Sequence, residues 1–292
     1  MSIKSNADKL VSISAQGDIA PPSFPPLPAI PYSLSSEGKP YILPTYGSIV
    51  YNVAIGDSAY GWLADCIHPG VSIHVNEASG NRGLNVLACV GNTAVVATGS
   101  AKGARGMVVG KSGRFSEHVI LYFEKDVLEK LIIGDKIVVR AKGIGMELAD
   151  HPNVMMKSIS PELLDALEVT TNADGKLSVP VVATVPAHLL GAGAGLTSDG
   201  GSLHIQTADR EALKQAQLDE LRLGDVVALT DYDSRWNHGY LRNAVGIGVV
   251  AQGDSPRAGY GPGITLLMTS GISGIVPMVT PGVNLKDLLM KS

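Results

Sequence analysis

The chain of 292 residues is 45% hydrophobic and 17% charged with a formal net charge of −4, which places it outside the disordered and polycationic classes. Aromatic residues make up 5%, too few for the stacking platforms of single-strand binders, so no nucleic-acid partner is expected. There is no apolar run of roughly 18 residues to span a membrane and no apolar signal-peptide segment, and Cys66 and Cys89 are too few for a disulfide framework. A cytoplasmic protein without a membrane partner is the expectation.

Residues 1–47 read as an extended arm. Residues 10–13 suit a short strand, and Pro21, Pro22, Pro25, Pro26, Pro28 and Pro31 then exclude helix, because proline locks φ and removes donors. Such an arm is stable only when covered by its own domain or by a neighbouring subunit, so a homo-oligomer is expected.

Residues 48–150 read as a β-barrel-like domain. Short Val- and Ile-rich runs at 48–55, 71–75, 84–90, 94–98, 106–109, 118–123 and 136–141 predict strands, most of them bounded by Gly, Asn or Asp. Gly91-Asn92 reads as a hairpin turn. A short helix is predicted over 124–132, with Val127, Leu128 and Leu131 on one face.

Residues 151–292 read as a second, α+β domain. It opens on a helix start at Ser160-Pro161-Glu162 and has strands at 177–185, 203–206, 226–230, 244–251 and 264–269. Helices are predicted at 208–222 and in the last turn, 284–290. The fold class is therefore mainly β with a few short helices, built of small barrel-like β domains packed together. Leu131-Ile-Ile-Gly-Asp-Lys-Ile-Val-Val is echoed by Leu221-Arg-Leu-Gly-Asp-Val-Val-Ala-Leu, each phrase supplying a Gly-Asp turn into a strand.

Three glycine-laced phrases stand out: Gly56-Asp57-Ser58-Ala59-Tyr60-Gly61-Trp62 followed by His68-Pro69-Gly70-Val71-Ser72; Ala101-Lys102-Gly103-Ala104-Arg105-Gly106 with Gly110-Lys111; and Ala258-Gly259-Tyr260-Gly261-Pro262-Gly263. In these the chain resembles the prokaryotic family catalogued as domain of unknown function 4438, over nearly its whole length. That resemblance implies a soluble protein and carries over no activity and no catalytic residue.

Gly110-Lys111-Ser112 is not a P-loop, since Arg105 stands where the first glycine belongs and no helix follows. Lys102 and Arg105, with Lys111 and Arg114, are instead candidates for a cationic rim that binds an anionic cofactor or ligand. The glycines of residues 191–195 fail the dinucleotide fingerprint and read as a flexible loop. Gly56-Asp57-Ser58 resembles an esterase nucleophile block, but the Asp-x-x-His pair that follows, Asp65 and His68, is too near in sequence to serve it.

The most suggestive cluster is Asp57, Asp65, Cys66, His68 and His74. Carboxylate and imidazole are what a divalent metal wants, and Asp65, His68 and His74 are the candidate ligands. Asp231 and Asp233, with His238, form a second acid–base set. Together Asp57, Asp65, His68, Asp231, Asp233 and His238 are the candidate catalytic residues, provided the two stretches meet in one cleft. Trp62 and Trp236 adjoin the two sets as pocket walls or as core. His118 reads as a core histidine, and His151, His188 and His204 have no assigned role. Two functions follow: a hydrolase of a small polar molecule, an amide or a cyclic imide, or a non-catalytic oligomeric binding protein for a small ligand.

Overall fold

The structure, a computed structural model, describes residues 3–23, 32–113 and 117–290. Pro25, Pro26, Pro28 and Pro31 of the expected arm, and Arg114, lie outside the described residues. Six antiparallel strands close a barrel: β1 (Ile13–Ile19), β2 (Gly70–His74), β3 (Thr93–Val96), β4 (Arg105–Ser112), β5 (His118–Tyr122) and β6 (Lys136–Ala141). Their order is β1-β6-β3-β4-β5-β2, and β2 pairs back onto β1. Closure removes the sheet edges. Alternation sorts the side chains: Val71 and Ile73 point into the barrel with Val119, Leu121, Ile137 and Val139, while Ser72 and His74 take the outer face.

Within the arm expected over residues 1–47, Ile13–Ile19 is a barrel strand, paired with β6 over Ile13–Asp18 and with β2 at Asp18 and Ile19. A correction concerns the strand expected at 84–90. Residues 84–87 are instead the end of the helix α1 (Ala78–Leu87), and of the rest Val90 makes an isolated bridge to Ile159. Its start is set upstream of the apolar run, where the Glu77 carboxylate accepts from the backbone N–H of Ser79 and Gly80. Gly91-Asn92 consequently joins a helix to β3, and Asn92 Oδ1 accepts from the backbone of Cys89 and Lys142. Of the predicted strand at 48–55, Ile49–Val50 pairs with β2.

In the second half, β7 (Leu177–Val181) and β8 (Ala183–Pro186) are followed by β9 (Val226–Asp233), β10 (Gly239–Gln252), β11 (Gly263–Ser270) and β12 (Ile275–Val279). One sheet runs Met155–Met156, β11, β10, β9, β8, with Leu203–His204 also on β11; β7 and β12 pair in parallel. The helix expected over 208–222 is short, Arg210–Gln215. Gln217 turns left-handed at φ 56° and the Leu218 N–H reaches back to the Leu213 carbonyl, a C-cap that ends it. The start at Ser160 stands: its hydroxyl accepts from the Leu163 N–H over a helix at Pro161–Ala166.

The repeated Leu-x-x-Gly-Asp phrase is the same turn twice. Gly134 and Gly224 take φ 89° and 90°, and Asp135 and Asp225 each cap the N–H three residues back, at Ile132 and Arg222. Outer-face residues of the barrel, Val109 and Ile120, join one core with Val249, Val250, Ala251 and Leu266. At this seam a Cβ on Gly110 would collide with the Ala251 methyl. Gly110→Ala is therefore expected to cost about 1–3 kcal/mol in urea unfolding; an unchanged midpoint would show that the seam yields freely.

Candidate functional site

A cleft of about 670 Å³ opens on the seam between the barrel and the second sheet. Its walls include Asp65 and Cys66 from the loop before β2, Glu117 beside β5, Ser202 and His204 from the short strand on β11, Gln252 at the end of β10, and Arg257 and Tyr260 beyond it. Gly191–Ala194 and Ala258–Gly259 complete it. Gly191 and Ala192 are tied into this wall by backbone hydrogen bonds. The N–H of Ala192 bonds to the Gly259 carbonyl, and Gly191 and Ala192 both bond to the backbone of His204. A Cβ on Gly191 would strike the Gly259 carbonyl oxygen.

Asp65 anchors one side. It is buried, and its carboxylate accepts from the Tyr41 hydroxyl (2.8 Å), the Ser255 hydroxyl (2.6 Å) and Arg257 Nη2 (2.8 Å). Cys66 follows at φ 55°, a left-handed backbone unusual for a residue with a side chain. Burial pushes its thiol well above the ordinary range, so it is protonated at neutral pH.

On the opposite side, His204 Nδ1 lies 2.8 Å from the Gly261 carbonyl oxygen, and its Nε2 lies 3.4 Å from Ser202 Oγ. A carbonyl can only accept, so Nδ1 carries the proton and Nε2 offers its lone pair to Ser202. Cys66 Sγ stands 4.0 Å from Nδ1, the nitrogen without a free lone pair. Burial lowers the His204 pKa, which keeps the ring neutral at neutral pH. The result is a serine hydroxyl 3.4 Å from an imidazole that a backbone carbonyl orients.

A histidine ladder backs the inner end. His68 Nδ1 meets Ser72 Oγ at 2.7 Å and its Nε2 meets Gln252 Nε2 at 3.2 Å. Its ring packs on Tyr46 and His118, and His118 stacks on His74. Burial holds His68 well below its usual pKa and brings His118 to about 4; His238, elsewhere, also falls to about 4. Above pH 6.5 these rings are neutral whether the chain is folded or not, and their burial costs nothing further. Below it the unfolded chain takes up protons that the folded form refuses, so stability falls as pH drops from 6.5 towards 4. His118 and His238 are each expected to remove about 2 kcal/mol by pH 5; a urea midpoint unchanged between pH 7 and 5 would contradict this.

The sequence-predicted residues fare unevenly. Asp65 is in the cleft, and His68 contacts it through Gln252. Asp57 accepts from the Ala54 N–H in a local turn. Asp231 sits at φ 55° on a bulge of β9 and accepts from the Asn243 N–H; Asp233 is held by Arg235, which lowers its pKa. His238 Nδ1 meets Ser234 Oγ at 2.9 Å, and its backbone bonds to Gly195 and Leu196. Among the described residues no hydrogen bond or ion pair joins the two sets, and no three His, Cys, Asp or Glu side chains gather as metal ligands, Asp65, His68 and His74 included. Lys102 and Arg105 are exposed and do not line the cleft. Lys111 departs from the expected rim: it is buried, with Nζ donating to Ser158 Oγ at 2.7 Å. Trp62 donates to the Ser58 carbonyl, and Trp236 is largely exposed with Lys157 over its ring.

Two family models cover residues 32–165 and 166–289, described as "Domain of unknown function (DUF4438)", N-terminal and C-terminal. The chain belongs to this family. It is also similar to a solved structure described as "Crystal structure of TM1086", with 40% identity, a TM-score of 0.91, and coverage of 98% of this chain and 99% of that one. No curated protein matches the chain. Among the described residues no helix is long and apolar enough to cross a membrane. The residues of this DUF4438 site that sequence reading missed are Ser202, His204, Gln252 and Arg257. Ser202 immediately precedes the two-residue strand Leu203–His204, and a Ser-x-His there carries no signal of its own.

Proposed function

We propose that the cleft binds a small uncharged polar molecule and hydrolyses an amide-type bond in it, with Ser202 as nucleophile and His204 as general base. The observation that carries this reading is the Ser202–His204–Gly261 arrangement on a cleft wall. In the reaction, Ser202 Oγ adds to the amide carbon as His204 Nε2 takes its proton. His204 then returns that proton to the leaving nitrogen, and water releases the acyl group from Ser202 by the reverse route. An uncharged ligand is favoured because His68, His118 and His204 are neutral, Cys66 is a thiol, Asp65 and Arg257 compensate each other, and the Glu117 carboxylate on the wall disfavours an anion. The test is a panel of small amides, lactams and cyclic imides assayed against purified wild-type protein and Ser202→Ala. Turnover confined to the wild type supports the reading; equal rates in both proteins contradict it.

A second reading, a binding protein without turnover, draws on one specific observation: Ser202 and His204 stand 3.4 Å apart, longer than a working hydrogen bond. Ligand-induced thermal stabilisation with no product formed over the same panel would favour it.

A further inference from the structure

We infer that a second cavity, on the other side of Arg257 from the cleft, binds a phosphoryl group between Arg210 and Arg257, either as free phosphate or as a small phosphate monoester. The cavity has a volume of about 370 Å³ and lies between the turn at residues 35–39 and the segments 207–210 and 255–257. That volume is at the lower end of the range for small-molecule pockets. Arg257 lines both the cleft and this cavity, so the two share a wall. A ligand can reach both arginines, whose side chains are 58% and 24% exposed and line the space.

Both arginines are held in place by the fold itself. Arg210 Nη2 donates to Asp254 at 2.6 Å, and Arg257 Nη2 donates to Asp65 at 2.8 Å. Their guanidinium carbons lie 5.9 Å and 4.9 Å from the ring centroids of Tyr60 and Tyr260. Pairing and stacking together fix the two planar forks, and each meets its carboxylate through one nitrogen, which leaves further N–H donors for an oxyanion. Neither Asp254 nor Asp65 lines this cavity, so each ion pair turns its positive end towards it. On the cleft side Asp65 shares the wall with Arg257, and that balance is absent here. Glu37 and Lys39, at the exposed rim, pair with each other and leave the charge of the cavity to the two arginines. Ser35 adds a hydroxyl. Its Oγ accepts from the N–H of Glu37 and Lys39 and donates to no acceptor among the described residues, so its proton is available to a ligand oxygen. Two forks and a hydroxyl match the three acceptor oxygens of a phosphoryl group better than the two of a carboxylate.

The experiment titrates the full chain with glycerol 3-phosphate, inorganic phosphate and glycerol at constant ionic strength, with binding read from protein NMR shifts. A phosphate is expected to bind with a Kd of about 1 mM or below, and glycerol not to bind. The tighter of the two phosphates identifies the source, monoester or free anion. Arg210→Gln should weaken phosphate binding about tenfold, since it removes charge-assisted hydrogen bonds. Arg210→Lys, which keeps the charge and guards against a folding artefact, should weaken it about threefold. Arg105→Gln removes the same charge from an exposed position outside the cavity and should leave the affinity unchanged. Failure of both phosphates to saturate, binding of glycerol as tight as theirs, an unchanged affinity in Arg210→Gln, or an equal loss in Arg105→Gln would overturn the inference.

Discussion

Ser202→Ala is expected to lower the kcat for amide hydrolysis by about 10³-fold or more with the fold intact. Losing a nucleophile removes the covalent route altogether, and what remains is the background from binding and positioning. Stability should hardly change, since the hydroxyl's contact in the fold is the 3.4 Å approach to His204. His204→Gln should cost a similar factor, because the two act as a unit. Cys66→Ala is the discriminating control. Its thiol faces the protonated Nδ1 and is held protonated by burial, so most activity should survive. A steady-state assay of the three variants checks the set; a Cys66→Ala enzyme as dead as Ser202→Ala would move the nucleophile to sulfur.

Asp65→Ala is expected to be the most destabilising single change in the cleft, by about 2–4 kcal/mol. Its carboxylate satisfies Arg257, Tyr41 and Ser255 at once, and Arg257 has a side chain 24% exposed. Removal leaves a partly desolvated cation and two hydroxyls without their acceptor. The figure is set below that for a fully buried pair because solvent reaches part of the guanidinium. Asp65→Asn keeps an acceptor for the hydroxyls and should cost less. Urea unfolding of both variants reads the difference. Equal, small losses would mean that the network is solvent-screened and contributes little.

Much of the β framework was legible from residue types and turn chemistry. Val71 and Ile73 alternate with Ser72 and His74 as a barrel wall demands, and the two Gly-Asp turns declared themselves by repetition. Failures occurred where the deciding interaction lies outside the local window. Helix α1 is capped by Glu77, ahead of the apolar run that reads as strand. The first barrel strand is recognisable only from partners more than a hundred residues away on β6. Of the site, Asp65 and Cys66 were legible as a carboxylate and a thiol clustered with His68. Asp57, Asp231 and Asp233 looked alike in sequence, but each engages nearby backbone or Arg235. Ser202 and His204 gain meaning only from Gly261, whose carbonyl chooses the tautomer across the strand pair.

The most direct test is covalent labelling with diisopropyl fluorophosphate, a small reagent for hydroxyls polarised by a base, followed by peptide mass spectrometry. The expected result is a single adduct on Ser202, formed about 100-fold more slowly in His204→Gln. An unlabelled protein, or an adduct on Cys66 with Ser202 untouched, would contradict a serine made nucleophilic by His204.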